Sequence, residues 1–581
     1  MIDKTSATFV QSLCLGEIEE DIIFPYPTIK EGEKETLQQV IKSIDDLLGA
    51  HEKDFGEWDK AGHMPEAFID EMKEFGLFSV VIPESFGGMA FGSSAYSRTI
   101  QEVAKFDGSV AVTMGAHSSI GMRGLLLFGT DEQKQRFMPK LATGEMIAAF
   151  CLTEPGAGSD AASIRTRAVR EGDEWVINGE KLWITNGGFA KFFTVFAKTA
   201  GEDGKDHMTG FIVTREMKGV STGPHEDKMG IRASSTTTVV LENVRVPVNN
   251  VLGEVGQGFK VAMKILNSGR TGLGGGSVGA MKRLISLTTK QAKERQQFGR
   301  PIAEFGLVKQ KIGHMVAMCY ASESVVNMVA GLIDQGYEDY AVEAAISKVF
   351  ASECLWHTAD EALQIAGGNG FMREFPYERV LRDCRINRIF EGTNDILRLF
   401  IALTGMKAVG VQLKELSSSL FGVFDDPIKG FGVMSQYAIR RAALLTGVDR
   451  PKSRFTKTHP ILRHHADIFE EGTRKLATAA DRVLRKHGKK IVEKQFATRR
   501  MADIMIDLFV LSCVLSRVDA AYQEKGPEGA GRELEILEVT ARMAKGHIDR
   551  NFRKIDDNDD ELIKSLADFA LEREGYAWDN V

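Results

Sequence analysis

Hydrophobic and polar positions change their spacing twice along the chain, and each change marks a different kind of structure. From about residue 33 to 145, apolar residues recur at helical spacing in segments such as EAFIDEMKEFGLF. From about 146 to 250, segments rich in β-branched and aromatic residues are separated by turn signals such as NGE and NGG, which is typical of strands. From about 257 onward helical spacing returns. The pattern predicts an α+β protein that is mainly α, in which helices flank one compact β unit.

Charge and turn residues divide the second helical region again. Residues 431–510 contain 17 Lys and Arg against 8 Asp and Glu, whereas residues 551–581 contain 4 against 9. Between the helical regions, SSSLFGVFDDPIKGFG (417–432) collects Ser, Gly and Pro, as a linker or mobile loop would. We therefore expect four domains, with boundaries at 1–145, 146–255, 256–405 and 406–581.

The composition excludes several classes of protein. Of the 581 residues, 43% are hydrophobic and 26% are charged, which is typical of a globular protein and excludes a disordered or fibrous chain. The net charge of −7 argues against binding to nucleic acid. The six cysteines are far apart and form no CxxC pair, so we expect reduced thiols and no metal site.

Targeting signals are weak. No segment reaches the roughly 18 consecutive apolar residues that a membrane-spanning helix needs. The start, MIDKTSATFVQSLCLGEIEED, has neither the basic and apolar regions of a secretory signal nor an Arg-rich transit sequence. We expect a cytoplasmic protein of bacterial type. A mitochondrial matrix protein whose transit peptide has been removed would look the same.

Two segments of the β region carry groups that suit a planar polar ligand. CLTEPGAGSD (151–160) leaves a strand and turns, offering Thr153, Ser159 and backbone N–H groups as hydrogen-bond donors. KLWITNGG (181–188) places Trp183 and Thr185 two residues apart, so that both project from one face of a strand. An aromatic ring beside a hydroxyl suits a heterocycle, although an ordinary β-turn and core packing explain each segment equally well alone.

Three further segments lie in the helical region. RQQFGRPI (295–302) follows a helix and supplies Arg295 for a phosphate, and QIAGGNGF (364–371) offers Gln364 beside glycines that allow close backbone approach. RIFEGTNDILRLF (388–400) puts Glu391 in apolar surroundings, where a carboxylate has a raised pKa and becomes a better base. Alone, Glu391 also fits a helix N-terminal charge favoured by the dipole.

Two other patterns have structural explanations that we favour. GGGSVG (274–279) matches the dinucleotide-binding pattern GxGxxG, but a helical segment precedes it where a strand is needed, so close helix packing is the better interpretation. His464 and His465 suggest a metal, but adjacent histidines do not share a helix face, and a solvated helix start is favoured.

Taken together, the five segments resemble the acyl-CoA dehydrogenase flavoprotein family in identity, order and spacing. The resemblance covers roughly residues 20 to 405. The additional C-terminal region and the FPYP sequence (24–27) are most similar to the very-long-chain branch, which carries an added helical domain. That branch includes a relative implicated in the assembly of respiratory complex I.

The resemblance implies a fold and a cofactor. The family has an N-terminal helical domain, a middle β-barrel-like domain and a C-terminal four-helix bundle, and it binds FAD partly across a dimer interface. The positions that match flavin-ring contacts are Thr153, Trp183, Ile184 and Thr185, and Ser159 matches a pyrophosphate and pantetheine contact. Positions that match contacts to the neighbouring subunit's FAD are Arg295, Phe298, Gln364, Gly367 and Gly368, and further FAD contacts match Thr393 and Asp395.

The resemblance also implies a reaction. Glu391 matches the base that removes the α-proton of an acyl-CoA while the β-hydride passes to flavin N5, giving a trans-2-enoyl-CoA. The substrate positions are Ser159, Asn267, Arg270 and Gly392. Some relatives place the base one residue before the equivalent of Arg270, but that residue is Gly269 here, which leaves Glu391. Electron transfer flavoprotein would accept the electrons.

Three points stay open at the level of sequence. An acyl-CoA oxidase that uses O₂, or an assembly protein that keeps the fold, would share many of these residues. The small residues of VTMGAHSSIG (112–121) favour a long acyl chain, although helix packing also explains them. The basic residues of 431–510 favour peripheral contact with a membrane, although a solvated helix face explains them as well.

Overall fold

The computed structural model describes residues 8–422, 442 and 452–579, which form two compact units. Among the described residues, the first unit comprises 26–396, and the second comprises 8–25, 397–422, 442 and 452–579. The α-helices are α1 Phe9–Cys14, α2 Glu20–Ile23, α3 Glu31–Ala50, α4 Asp54–Ala61, α5 Glu66–Glu74, α6 Ser93–Phe106, α7 Gly108–Gly115, α8 Arg123–Phe128, α9 Asp131–Ala142, α10 Gly258–Glu294, α11 Gly306–Asp334, α12 Ala341–Ala366, α13 Gly368–Phe371, α14 Tyr377–Cys384, α15 Asn394–Gly405, α16 Lys407–Gly422, α17 Arg463–His487, α18 Gln495–Gly529, α19 Gly531–Lys554 and α20 Asp560–Arg573.

Most strands lie where the sequence pattern predicts them, whereas two short strands at 296–301 fall within the region that the pattern predicts to be helical. They are β1 Ala148–Cys151, β2 Arg167–Glu171, β3 Glu174–Thr185, β4 Phe192–Ala200, β5 Asp206–Thr214, β6 Val220–Thr222, β7 Thr236–Pro247, β8 Val251–Leu252, β9 Gln296–Gln297 and β10 Arg300–Pro301. Short 3-10 helices occupy Glu84–Phe86, Ala161–Ser163, Val248–Asn250, Ile302–Glu304, Arg385–Arg388, Pro460–Leu462 and Gly488–Glu493, and Ala116–Gly121 is a π-helix. The predicted α+β class, mainly α, is confirmed.

The middle of the first unit is an eight-stranded mixed sheet in the order β6-β7-β3-β2-β4-β5-β8, with β1 pairing beside β4. The pairs β1–β4 and β2–β4 are parallel, and the other pairs are antiparallel. Its buried face is made of aromatic and β-branched side chains, among them Phe193, Val195, Phe211 and Val239, each with no exposed surface. This sheet is the β unit that the sequence predicts.

The helices that flank the sheet are fixed by capping and by buried polar contacts. The Asp107 side chain accepts hydrogen bonds from Ser109 N and Val110 N at the start of α7. Thr130 and Gln133 form a capping box at the start of α9. Between them, His117 in the π-helix accepts a hydrogen bond from Ala148 N at Nδ1, which joins this segment to β1.

Close helix packing explains the glycine-rich segment 274–279. It lies inside α10, where a Cβ on Gly275 would be 3.0 Å from Ser97 O and a Cβ on Gly279 would be 2.0 Å from Gln101 O of α6. The preference for helix packing over a dinucleotide-binding loop is confirmed. On its other sides α10 packs with α11, α12 and α14, forming the predicted helical bundle.

The second unit is built around α17, α18 and α19, which pack on one another. The ring of Phe9 on α1 lies 6.3 Å from Phe469 and 6.2 Å from Phe509, so the N-terminal helix joins this core. The interpretation of 417–432 as a linker is wrong for 417–422, because α16 continues through Gly422. The remaining part of that segment lies outside the described residues.

Two helical segments are long and apolar enough to satisfy a length and composition test for a membrane span. These are Gly306–Asp334 and Asn394–Lys414, each with a window of mean hydropathy 1.5. Inside the protein 72% of the first window is buried, against 33% of the second. The extensive burial of Gly306–Asp334 is typical of a core helix in a helical bundle.

Candidate active site

Glu391 lies on a tight backbone turn between the 3-10 helix Arg385–Arg388 and α15. Its φ angle is +56°, and the φ of the following Gly392 is +93°. A left-handed conformation at a non-glycine residue costs on the order of 1–3 kcal/mol, so other contacts must hold this turn. The turn ends at Thr393, whose hydroxyl accepts a hydrogen bond from Ile396 N at the start of α15.

The Glu391 carboxylate is directed toward the backbone of α10. A Cβ placed on Gly269 would lie 2.7 Å from Glu391 Oε2 and 3.0 Å from Oε1. The structure therefore places the carboxylate beside α10 rather than at the start of α15. The Glu391 carboxylate and the position of a side chain on Gly269 therefore fall at the same point.

Burial changes the acidity of this carboxylate. Loss of solvent raises the pKa of Glu391 to about 7, while the charges of Arg270 and Lys348 act in the opposite direction. Its Oε2 atom is buried and has no hydrogen-bond partner within the part of the chain that the structure describes. A buried carboxylate oxygen without a partner is suited to accept a proton from a bound molecule.

Arg270 borders the same carboxylate on α10 and is only 7% exposed. Its Nη1 donates to Asn267 Oδ1 at 2.7 Å, and its Nε donates to the backbone oxygen of Glu391 at 3.4 Å. Burial lowers the pKa of Arg270 to about 10, with Glu391 opposing this change, so the guanidinium stays charged at neutral pH. The structure thus brings together four predicted site residues, Glu391, Gly392, Arg270 and Asn267.

A second buried cation was not found by sequence reasoning. Lys348 on α12 has no exposed surface, and its Nζ donates to Gly392 O and to Asn394 Oδ1, each at 2.8 Å. The available signal was a lone lysine within the apolar helical run AVEAAISKVF (341–350). A lysine in such a position needs a buried partner, and here the partner is the turn that carries Glu391.

A buried ion pair in the protein interior stabilises the loop 151–160. Glu154 Oε1 lies 2.7 Å from Lys181 Nζ, and the Lys181 side chain has no exposed surface. The carboxylate also accepts hydrogen bonds from Arg165 N, Thr166 N and the Thr166 hydroxyl. Because Glu154 is fixed from inside, the loop presents Ser159 on the surface.

A hydrogen bond brings the two predicted flavin segments together. Leu182 N donates to Thr153 O at 2.9 Å, which places Thr153 beside Trp183. Trp183 is 63% exposed and has a φ of +56°, since the β3–β7 pairing shifts register between Lys181 and Ile184. The expected alternation therefore includes a β-bulge, with Ile184 buried and Trp183 and Thr185 more accessible.

The other predicted cofactor residues lie on the surface. Arg295 directly follows α10, and the hairpin β9–β10 after it carries Phe298 at its turn with 93% of its surface exposed. Gln364, Gly367 and Gly368 are exposed at the end of α12, and Asp395 is exposed at the start of α15. In a single chain these residues face solvent. Among the described residues, no group of three or more His, Cys, Asp or Glu is arranged to hold a metal ion.

Comparison with known proteins decides the family. Four domain models match: "Acyl-CoA dehydrogenase, N-terminal domain" over residues 34–145, its middle domain over 149–244, its C-terminal domain over 256–405, and "ACAD9/ACADV, C-terminal domain" over 460–576. The mitochondrial very long-chain specific acyl-CoA dehydrogenase of Macaca fascicularis is 42% identical, over 99% of this chain and 89% of its own. The chain belongs to the acyl-CoA dehydrogenase family.

Bacterial members of the family are similar as well. A probable acyl-CoA dehydrogenase of Bacillus subtilis is 37% identical, over 83% of this chain and 80% of its own. The crystal structure of an acyl-CoA dehydrogenase complexed with FAD from Bacillus anthracis superposes with a TM-score of 0.79 at 32% identity. That alignment covers 97% of this chain and 94% of the other. This chain therefore shares both the catalytic domains and the additional C-terminal domain with its relatives.

The residues present fit FAD, the cofactor of the family. Trp183 exposes its aromatic ring, and the backbone of the preceding Leu182 is hydrogen-bonded to Thr153, so this region offers an aromatic face and a hydroxyl to a flavin ring. Ser159 and Arg295, both exposed, are a hydroxyl and a cation of the kinds that bind a pyrophosphate. The donor set therefore has the right chemistry for the flavin ring and for the pyrophosphate.

Proposed function

We propose that this protein catalyses the FAD-dependent α,β-dehydrogenation of long-chain and very-long-chain acyl-CoA thioesters to trans-2-enoyl-CoA. Glu391 is the catalytic base, and electron transfer flavoprotein receives the electrons. The observation that carries this proposal is the buried Glu391 Oε2, which has no hydrogen-bond partner among the described residues and stands beside Arg270. A base of this kind is what removal of a weakly acidic C–H proton requires.

The residues of this chain perform the proton-transfer half of the reaction. Glu391 Oε2 accepts the α-proton, and the backbone N–H of Glu391 donates to the thioester oxygen as negative charge develops there. Arg270 keeps the turn in place through the Glu391 carbonyl and adds a positive potential near that charge. FAD would be held by Thr153, Ser159, Trp183, Ile184, Thr185, Thr393 and Asp395, and would supply the acceptor for the β-hydride.

Replacement of the base tests this function. Glu391→Gln keeps the size of the side chain but cannot accept the proton. General-base catalysis contributes about 10²–10⁴-fold, and we expect flavin bleaching by palmitoyl-CoA under anaerobic conditions to slow by at least that factor. The variant should stay yellow with a full complement of FAD. Bleaching at the wild-type rate would show that Glu391 is not the base.

The electron acceptor is tested on the reduced enzyme. Reoxidation by electron transfer flavoprotein, without release of hydrogen peroxide in air, is the expected result. Rapid peroxide release would instead identify an acyl-CoA oxidase. An assembly role without catalysis is disfavoured by the intact Glu391 and Arg270 pair, and it predicts no bleaching with any acyl-CoA.

The chain-length class rests on the segment 112–121, which ends α7 and forms the π-helix. Ile120 borders the base, because its Cγ2 lies 2.6 Å from where a Cβ on Gly269 would be. Gly115 has open space around it, with no atom within 4 Å of an added Cβ. Each further buried CH₂ of an acyl chain gains about 0.8 kcal/mol, so room here favours long chains.

A filling substitution tests this assignment. Gly115→Leu should lower kcat/KM for palmitoyl-CoA while sparing butyryl-CoA. Gly313→Leu is the control, because Gly313 lies on α11 and also has open space around it. Equal loss for both substrates, or a wild-type optimum at butyryl-CoA, would contradict the long-chain assignment.

We further propose that the protein is a homodimer whose partner completes the FAD site through Arg295, Phe298, Gln364, Gly367 and Gly368. Large apolar side chains are exposed close to these residues in the chain. They are Phe298 (93%), Phe371 (78%), Leu307 (74%) and Met372 (58%). A set of this kind on a globular protein is typical of an interaction surface.

A charge placed on this surface tests the dimer. Phe298→Asp should give monomers by light scattering and reduce FAD content. Phe75→Asp is the matched control, since Phe75 is 44% exposed at the end of α5. A stable FAD-loaded dimer of the Phe298→Asp variant would contradict the proposal.

Peripheral membrane contact through residues 431–510 has support in the described residues 452–510, whereas most of 431–451 lies outside the described part. The segment from the end of α17 to the start of α18 exposes Val492 and five cations: Arg485, Lys486, Lys489, Lys490 and Lys494. Each cation near an anionic surface gains about 1 kcal/mol. We propose that this basic loop contacts anionic lipid. The bacterial cytoplasm and the mitochondrial matrix both fit this proposal.

Vesicle sedimentation tests the contact. The full chain should bind phosphatidylglycerol vesicles at low salt, and Lys489→Glu with Lys490→Glu should abolish binding. The paired control is Lys30→Glu with Lys34→Glu, which changes charge equally on exposed lysines before and within α3. Equal sedimentation with neutral and anionic vesicles would rule the contact out.

A further inference from the structure

The turn that carries the catalytic base is held by a buried network on α12. Lys348 Nζ donates to Gly392 O and to Asn394 Oδ1, both at 2.8 Å. Asn394 Nδ2 in turn donates to Ser352 Oγ and to Glu353 Oε1, both at 3.0 Å. Lys348 and Ser352 are one helical turn apart, so one face of α12 forms hydrogen bonds with both Gly392 and Asn394.

Lys348 is placed where the backbone is most strained. Glu391 and Gly392 adopt φ angles of +56° and +93° in succession. Their carbonyl oxygens accept from two different buried cations, Arg270 Nε for Glu391 and Lys348 Nζ for Gly392. Because both carbonyls are fixed, the peptide unit between Glu391 and Gly392 has a fixed orientation. The direction of the Glu391 side chain is fixed with it.

We propose that Lys348 is a positioning residue for the reaction: its ammonium group fixes the Gly392 carbonyl and Asn394 and thereby aims the Glu391 carboxylate at the substrate. This inference rests on the proposed function. Lys348 does not touch the reacting atoms, and a neutral side chain of the same shape would leave the Gly392 carbonyl buried with a weaker donor or none.

The charge of Lys348 has a second consequence. The charged and titratable groups that face Glu391 are Arg270 on α10, Lys348 on α12 and Tyr96 on α6. Both cations favour the carboxylate form and so oppose the effect of burial on the pKa of Glu391. Removal of Lys348 therefore makes Glu391 harder to ionise as well as less well aimed.

Two variants separate these roles. Lys348→Met removes the donor and the charge, whereas Lys348→Gln removes the charge but keeps a donor for Gly392 O. We expect Lys348→Met to slow anaerobic flavin reduction by palmitoyl-CoA at least tenfold at high pH, where Glu391 is ionised. We expect Lys348→Gln to recover part of that rate. As the pH decreases, kcat/KM falls when Glu391 is protonated, and we call this fall the acidic limb of the pH profile. In both variants the acidic limb should move to higher pH by about one unit.

Ser352→Ala is the control. It removes a hydrogen bond to the same Asn394 from the same face of α12 without a change of charge, and we expect its acidic limb to stay at the wild-type pH. FAD absorbance and thermal stability are measured for every variant. If Lys348→Met does not retain FAD, Lys348→Gln carries the test.

The outcomes distinguish the inference from the proposed function. A wild-type protein that does not oxidise acyl-CoA, or a Glu391→Gln variant with full activity, overturns the function. An active wild type, together with FAD-loaded Lys348 variants whose acidic limb and rate are unchanged, overturns the role of Lys348 alone.

Discussion

Gly269 and Glu391 compete for one position in this protein, because a Cβ on Gly269 would lie 2.7 Å from Glu391 Oε2. The distance is shorter than any ordinary van der Waals contact, so only a glycine allows the carboxylate to stand where it does. Gly269 thus provides no base on α10, and its lack of a side chain leaves room for the carboxylate of Glu391.

A methyl group at this position should impair catalysis directly. Gly269→Ala forces the Glu391 carboxylate or Ile120 to move, and displacement of a catalytic group by about 1 Å costs on the order of 10²-fold in rate. We expect kcat to fall by about that factor with FAD retained. Gly276→Ala on the same helix is the control, since its Cβ would meet only Ala104 at 3.7 Å. Similar activity of the two variants would contradict the packing argument.

The raised pKa of Glu391 predicts how activity depends on pH. Because the pKa is about 7 in the free enzyme and the carboxylate is the active form, kcat/KM should fall as the pH decreases through about 7. The measurement is the pH profile of kcat/KM with palmitoyl-CoA. The residual activity of Glu391→Gln should lack this limb. A profile that stays flat down to pH 5 would show that another group limits the rate.

Much of this site could be predicted from sequence, because motif residues act through local patterns. Trp183, Thr153 and Glu391 stand in distinctive segments, and the structure places Thr153 beside Trp183 and Glu391 beside Arg270. Lys348 could not be found in the same way, since its partner Gly392 is 44 residues away and contributes only a backbone oxygen. Nothing in the sequence marks a carbonyl that needs a cation.

The same limit applies to the supporting structure. The partnership of Glu154 with Lys181 spans 27 residues, and the β-bulge at Trp183 depends on how β3 pairs with β7. The prediction of a linker at 417–422 is wrong for a different reason. Ser and Gly favour loops, but here they extend the helix that begins at Lys407. The boundaries 1–145, 146–255, 256–405 and 406–581 stay predictions.

The buried ion pair beneath the flavin loop should be essential for the loop. Lys181→Met leaves Glu154 buried without its cation, and breaking such a pair costs about 3–5 kcal/mol. We expect a lower free energy of unfolding and lower FAD content. Addition of Glu154→Gln should restore part of both, because the remaining side chain is then neutral. A Lys181→Met variant with unchanged stability and FAD content would show that the pair is dispensable.

His117 should make the protein sensitive to acid. Its ring is fully buried, and its Nδ1 accepts from Ala148 N at 3.0 Å while its Nε2 donates to Phe78 O at 3.2 Å, which fixes a neutral ring. Burial lowers its pKa from 6.5 to about 4. Between these values the unfolded chain binds the proton and the folded protein does not, so stability is complete above pH 6.5 and is lost as the pH falls toward 4. The loss is on the order of 3 kcal/mol for this one group.

The test of this effect compares the free energy of unfolding at pH 7 and pH 4.5 in the wild type and in His117→Asn. Asparagine offers an acceptor to Ala148 N but does not titrate, so the variant should lose less stability than the wild type over this range. The comparison cancels other groups that titrate in the same window, among them Asp383, whose raised pKa of about 7 has the opposite sign. Equal losses in the two proteins would mean that His117 is not the acid-sensitive group.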